Sequence, residues 1–319
     1  MPWQTELRGE AMGTTWSVKI VTLGRPDTER EQFWGRVVTE RLEEVNTLMS
    51  TYRDDSEISR LNAAPAGAAV ALSAPTVEVL ELSRRISEES GGAFDITVGP
   101  AVDAWGFGAA PFENPPAESV LSQLRERIDW QRIELAETSA TKGTNDVETN
   151  LSAVAKGYAV DRVAEALLNV GENNVMVEVG GEVRVSGHNV SEASWRVAVE
   201  RPEALPNTVH RIVELDSGCL ATSGDYRNSY EWEGQRYSHT IDPRTASPVA
   251  HELASVSVHH PSCADADAYA TTLMVLGPEE GLRFAQERNL ASLFLVYSED
   301  DGVAESMTDA FAELLHPES

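Results

Sequence analysis

Within ADADAYATTLMVLG (264–277) an acid and a hydroxyl, Asp267 and Thr271, stand four residues apart. On a helix that spacing puts both on one face, one turn from each other. Carboxylate and hydroxyl oxygens are hard ligands, and two of them leave most of the six positions of magnesium to a backbone carbonyl, water and substrate phosphates. The pair also has a structural reading, an acid favoured near a helix N-terminus and a threonine bonded back to its own helix. In YSHTIDP (237–243), His239 falls in an alternating stretch that ends at a proline-marked turn. An imidazole there could take a proton from a hydroxyl near neutral pH, or could simply pack at a strand edge.

Three further segments could hold an anionic or planar ligand. ATSGDYRN (221–228) reads as a turn in which Thr222, Ser223, Gly224 and Arg227 offer hydroxyls, backbone N–H groups and a guanidinium to a phosphate, with a plain β-turn as the alternative. In GGAFDITVGP (91–100) the glycines allow close backbone approach, Phe94 offers a ring and Asp95 an acceptor; the same glycines also serve as a helix stop. LSAVAKGYAVD (151–161) reads as a loop-to-helix junction whose small residues let backbone groups reach a ligand. Neither GxGxxG nor GxxxxGK[ST] occurs in that junction, which removes a dinucleotide-fold or P-loop reading, and no HExxH or GxSxG is present.

The elements that must position these residues follow from periodicity. Residues 14–23 alternate as a strand, with Trp16, Val18 and Ile20 on one face. Residues 30–49 and 73–90 carry apolar residues at helical spacing, the second run capped by Ser73 and stopped at Gly91-Gly92. Residues 99–117, rich in Pro, Gly and Ala, read as a long loop. A helix is expected from Val154 to Leu168, then strands at 175–179, 183–187, 195–199, 209–215, 236–242 and 253–258. Helices at 265–276 and 279–288, a strand at 291–297 and a last amphipathic helix with Met307, Phe311, Leu314 and Leu315 complete an α+β (mixed α/β) pattern. With no repeat or linker, the expectation is one catalytic domain over 1–319, or two closely packed lobes.

Composition bounds the partners. The 319 residues are 41% hydrophobic and 24% charged, as in a folded protein, and 52 acidic against 25 basic residues give a net charge of −27. Such a surface repels nucleic acid, so an anionic substrate must be met by local cations, helix N-termini or a metal. Two cysteines, Cys219 and Cys263, permit one bridge without implying it. The N-terminal stretch has no apolar signal core, and no run of about 18 apolar residues occurs, so no membrane span is expected in this chain. The location expected is the cytoplasm or, if an export segment has been trimmed, the periplasmic face of the inner membrane.

The order of the motifs, MGTTW (12–16), MSTYRDDSEISRLN (49–62), GGAFDITVGP, LSAVAKGYAVD, VEVGGEVRVSG (177–187), ATSGDYRN, SHTIDPRTASPVA (238–250) and ADADAYATTLMVLGPEEGL (264–282), resembles the FAD:protein FMN transferase (ApbE) family from residue 12 to residue 282. The resemblance implies a mixed α/β fold related to tunnelling-fold proteins. It also implies a magnesium-dependent enzyme that cleaves FAD, links FMN by a phosphoester to a Thr or Ser of a flavoprotein such as a respiratory redox-complex subunit, and releases AMP. By motif it implies Asp267, Thr271 and the carbonyl of Ala155 as metal ligands, and His239 beside the reacting groups. Met12, Tyr52, Ala93, Phe94, Asp95, Ser152, Tyr158 and Ile241 fall at positions that contact FAD. Asn150 stands where the family usually has Asp. The same residues would serve an FAD pyrophosphatase giving FMN and AMP, and a non-catalytic FAD-binding module is the reading from a different class.

Overall fold

The computed structural model describes residues 1–108, 114–202, 208–225, 229–298 and 302–315. Eight antiparallel strands form the central sheet: β1 (Pro2–Ala11), β2 (Thr14–Leu23), β3 (Val175–Val179), β4 (Glu182–Ser186), β5 (Ser217–Gly224), β6 (Leu253–His260), β7 (Ala291–Ser298) and β8 (Gly302–Met307). Their spatial order is their chain order. The helices are α1 (Thr28–Met49), α2 (Glu57–Ala63), α3 (Ala74–Glu89), α4 (Gly99–Ala104), α5 (Glu118–Arg127), α6 (Ala155–Asn169), α7 (Cys263–Glu287) and α8 (Asp309–Ala312).

Strand side chains alternate between faces, and two cores result. On β5, Cys219 and Ala221 join the larger core while Leu220 joins the other; on β7, Phe294 and the pair Leu293/Leu295 divide the same way. The larger core takes Val38, Leu42 and Val45 of α1, Val160, Val163 and Leu167 of α6, and Ala266, Ala270 and Leu273 of α7. These recur at three- and four-residue intervals, the stripe by which a helix covers a sheet. The opposite face is covered by Phe311 of α8 and by a ribbon pairing Trp195–Glu200 with Val209–Leu215.

Several expectations change. Residues 99–104 are helical, because Pro100 sits in the first turn, where its missing N–H costs nothing, and Ala101 and Trp105 are buried by the fold. Residues 109–113 of that stretch lie outside the described residues. Ala221–Gly224 is no turn but the end of β5, paired with Ser255–Val258; Arg227 lies outside the described residues. The 236–242 stretch is two short strands, Gln235–Ser238 and Ile241–Asp242, so His239 occupies a bend rather than a strand. Met307 closes β8, and the last helix shrinks to α8. The break expected between residues 276 and 279 survives as a kink in α7, where Gly277 has φ 82° ahead of Pro278. β1 was not foreseen.

Cys219 of β5 and Cys263, the first residue of α7, form a disulfide across 44 residues of sequence. Closing a loop of that length should stabilise the fold by about 4 kcal/mol. Chemical denaturation of a Cys219→Ala/Cys263→Ala variant against the oxidised protein should show a loss of that order.

Candidate active site

The site end of the sheet is fixed by its topology. The β1–β2 turn at Met12-Gly13 and the β3–β4 turn at Gly180-Gly181 lie side by side, joined by the Gly180 N–H donating to the Thr15 carbonyl at 3.0 Å. Gly224 ends β5 at the same edge, so the segment 225–252, which carries His239 and Ile241, also leaves the sheet there. Hairpin turns of two residues need φ > 0 at both positions to match strand twist. Met12 adopts φ 53° for that reason, with Gly13 at 73°.

Against this end, α6 and α7 approach more closely than side chains normally allow. A Cβ on Gly157 would overlap the Cys263 carbonyl oxygen and lie 2.8 Å from Asp267 Cβ. The approach lets the Gly157 N–H donate to Asp267 Oδ2 at 2.9 Å, and Asp267 is 4% exposed. Asp161 of α6 then caps α7: its Oδ2 accepts from the N–H groups of Cys263 (2.8 Å) and Ala264 (3.0 Å) and from the Ser262 hydroxyl (3.2 Å). A carboxylate there satisfies donors that the first turn of a helix leaves unpaired. Arg184 of β4 pairs with the other oxygen of Asp161.

One turn beyond Asp267, the half-buried Thr271 hydroxyl stands 3.2 Å from Ser223 Oγ, and Thr222 Oγ1 lies 2.7 Å from Ser257 Oγ. The structure therefore brings Asp267, Thr271 and Ser223 together, with Gly224 following at the strand end, whereas Thr222 points to the other face of β5, the side of Leu220. Ala155 opens α6, so its carbonyl runs along the helix. Ala153 differs: it lies ahead of the N-cap Val154, so its carbonyl is outside the intrahelical ladder, and the Gly157 N–H, one of the donors that a first turn leaves unpaired, goes to Asp267.

Lys156 and Glu182 complete the cluster and were not singled out by sequence. Lys156 Nζ donates to Glu182 Oε1 at 2.5 Å, with the lysine side chain one-third exposed and the glutamate at 2%. Burial pushes the Glu182 carboxyl up to about 7, with Lys156 opposing and Asp267 adding to the rise. Burial works against the Lys156 charge, but Asp267 and Glu182 hold its pKa above the usual lysine range. The one sequence signal was the double glycine before Glu182. A Cβ at Gly180 would lie 3.0 Å from Thr14 Cγ2 and 3.3 Å from Lys156 Cδ, so a bare turn makes room for the lysine stem.

The remaining candidates are placed less uniformly. Phe94 and Ala93 are buried in the larger core, and the Asp95 carboxylate accepts from Thr97 N (2.7 Å), Thr97 Oγ1 (2.6 Å) and Trp130 N (3.1 Å). Neither the Phe94 ring nor the Asp95 carboxylate stands open to a ligand in this arrangement; burial raises the Asp95 pKa against those bonds. Tyr158 is buried with its hydroxyl on Glu78 at 2.9 Å, and burial together with Glu78 raises the phenol. Ser152 is exposed, its N–H bonded to Asn150 Oδ1 at 2.9 Å, while Asn150 N donates to Ile96 O at 2.7 Å. Tyr52 is 75% exposed. Ile241 packs with Ala101, Trp105, Leu121 and Leu124, and Trp105 Nε1 donates to Ala246 O at 2.8 Å, which ties the 241–248 turn to α4. The His239 ring stands edge-on to Phe107, centroids 6.2 Å apart.

The ApbE family model matches residues 12–294. The chain is 38% identical over 315 residues to the FAD:protein FMN transferase of Vibrio cholerae, covering 98% of this chain and 93% of that one. It is 34% identical over 318 residues to the protein of the same name from Escherichia coli K12, with 98% and 89% covered. Among solved structures, the flavin transferase ApbE from Vibrio cholerae superposes with a TM-score of 0.90 at 37% identity, covering 99% of this chain and 100% of that one. The apo form of Pseudomonas stutzeri flavinyl transferase ApbE gives 0.90 at 35% identity, with 100% and 98% covered.

The contact at Gly157 makes a direct prediction. Gly157→Ala puts a methyl against backbone that cannot yield cheaply, so a stability loss of about 1–3 kcal/mol or more is expected in thermal melts. Loss of the site should exceed what the melt alone implies, because the N–H bonded to Asp267 must move.

Proposed function

The chain belongs to the ApbE family and is a flavin transferase; we propose that it cleaves FAD and links the FMN half by a phosphoester to a Thr or Ser of an acceptor flavoprotein, releasing AMP, with magnesium held at Asp267 and Thr271. The observation that carries the metal assignment is the carboxylate of Asp267, buried on α7 and oriented through one oxygen by the Gly157 N–H. Among the described residues no group of three or more His, Cys, Asp or Glu side chains is placed to hold a metal ion. The oxygens present, from Asp267, Thr271 and the Ala153 carbonyl ahead of the N-cap of α6, suit a hard cation that takes its other ligands from water and phosphate. By this argument the carbonyl comes from Ala153 rather than Ala155. Bound magnesium would neutralise the diphosphate and polarise the phosphorus under attack.

The residues of the chain supply position. Ser223 sets the Thr271 hydroxyl at the end of β5. The Met12-Gly13 turn lies at this end of the sheet, and Met12, Ser152 and Ile241 are assigned to FAD contact. His239, in the bend that leaves this end, is assigned as the base that takes the proton of the acceptor hydroxyl at its ring nitrogen. Phosphoryl transfer of this kind relies on alignment and electrostatics and needs no covalent enzyme intermediate.

For the compartment, we place the chain on the periplasmic side of the inner membrane. The Cys219–Cys263 bridge supports that reading, since such bonds form and persist in oxidising surroundings. No helix among the described residues is long and apolar enough to cross a membrane. A respiratory redox-complex subunit is the acceptor class assigned.

Incubation with FAD, magnesium and a candidate acceptor, followed by intact-mass measurement, tests the reaction. A gain of one FMN on the acceptor supports the transferase, and free FMN with AMP alone would mean hydrolysis. Asp267→Asn keeps an acceptor for the Gly157 N–H but removes the charge. It should melt within about 1–2 kcal/mol of the wild type while magnesium-dependent transfer falls at least about a hundred-fold. Near wild-type turnover in that variant would rule out the metal assignment.

A further inference from the structure

Glu182 has no part in the function proposed above, yet it is among the least accessible charged groups of the chain. Its side chain is 2% exposed, one oxygen accepts from Lys156 Nζ at 2.5 Å, and the other, Oε2, is buried with no hydrogen-bond partner among the described residues. A buried carboxylate with half its acceptor capacity unmet is costly, and replacing such ion pairs by apolar residues is often neutral or stabilising. Something other than stability is therefore needed to account for it.

The geometry points to Lys156. Its stem passes the bare Gly180, its ammonium pairs with Glu182, and Asp267 also favours its charge. The glutamate is enclosed while the lysine side chain is one-third exposed, so of the two partners it is the lysine that reaches toward the surface. An ammonium has three donors and no preferred rotation, and an anchoring carboxylate removes that freedom. In a chain of net charge −27, a fixed cation next to Asp267 is also the local counter-field that a dianionic diphosphate requires.

We propose that Glu182 is a positioning residue: it holds the Lys156 ammonium on the open side of Asp267, where the ammonium meets the diphosphate of FAD. This deepens the FAD-cleaving reading and rests on it. Glu182 does not touch the substrate, and its effect passes entirely through Lys156. A salt bridge that serves only the fold would instead leave the affinity of any folded variant unchanged.

The test is FAD affinity by quenching of flavin fluorescence, in EDTA and without acceptor, so that neither turnover nor a divalent cation contributes. Wild type, Glu182→Gln, Lys156→Met and the double variant are compared, with melting curves to establish that each is folded. Glu182→Asp, which keeps the charge but withdraws it by one methylene, is measured alongside in case the glutamine variant does not fold. Each single substitution is expected to raise the Kd for FAD about ten-fold, and the double variant should be no weaker than Lys156→Met alone. Losses that multiply in the double variant, or folded Glu182 variants at wild-type affinity, overturn the proposal. A wild-type chain that transfers FMN while Glu182→Gln binds FAD equally well defeats this proposal alone; a wild type that does not bind FAD defeats the functional reading with it.

Discussion

The approach of α6 to α7 at Gly157 is the contact on which the site depends. A glycine at that position lets two helices meet backbone to backbone, and two consequences follow from one short distance. The Gly157 N–H reaches Asp267, and Asp161 one turn further along α6 reaches the unpaired N–H groups at the start of α7. The disulfide adds a covalent constraint at the same turn, since Cys263 is both the residue that Gly157 touches and the partner of Cys219 on β5. α7 is thus held by α6 from one side and by the sheet from the other in the turn that precedes Asp267 and Thr271.

Charge imposes the second condition. A protein with this excess of acid attracts no anion through its general field, so the site must produce a local reversal. Burying Asp267 and Glu182 within electrostatic reach of each other would worsen the problem were Lys156 not paired with Glu182. In the function proposed above, a divalent cation at Asp267 and the Lys156 ammonium would together offset the charge of the diphosphate.

How far the sequence disclosed this varies with the kind of signal. The strand 14–23, the helix 30–49 and the break at Gly277-Pro278 were legible because burial repeats at a fixed period and because Gly and Pro act locally. Pro100 misled for the same local reason: in a first turn it favours the helix that it would break elsewhere. Ala221–Gly224 carried turn residues yet completes β5, since pairing with β6 outweighs local preference. Spacing and motif order singled out Asp267 and Thr271, and motif order singled out Phe94 and Asp95, but the burial of Phe94 and the bonds of Asp95 to its own loop depend on the folded core and could not be read there. Lys156 and Glu182 could not be paired from sequence. They are 26 positions apart, on a helix and a strand, and their meeting depends on where the Gly180-Gly181 turn lies relative to α6.

That dependence explains why one end of the sheet carries the site. Antiparallel strands in chain order place alternate connections at alternate ends, so the Met12-Gly13 and Gly180-Gly181 turns, the end of β5 and the segment holding His239 are delivered to one rim. Tight turns require left-handed backbone, and left-handed backbone favours residues without side chains. The rim is consequently low at Gly180, and the vacant height is taken by the Lys156 stem. The position of the ammonium is set by hairpin geometry, while that of Asp267 is set by the docking of two helices. Because these two constraints arise in different parts of the chain and converge only in the folded state, a change at either Gly157 or Gly180 would separate charges that no local repacking could bring back together.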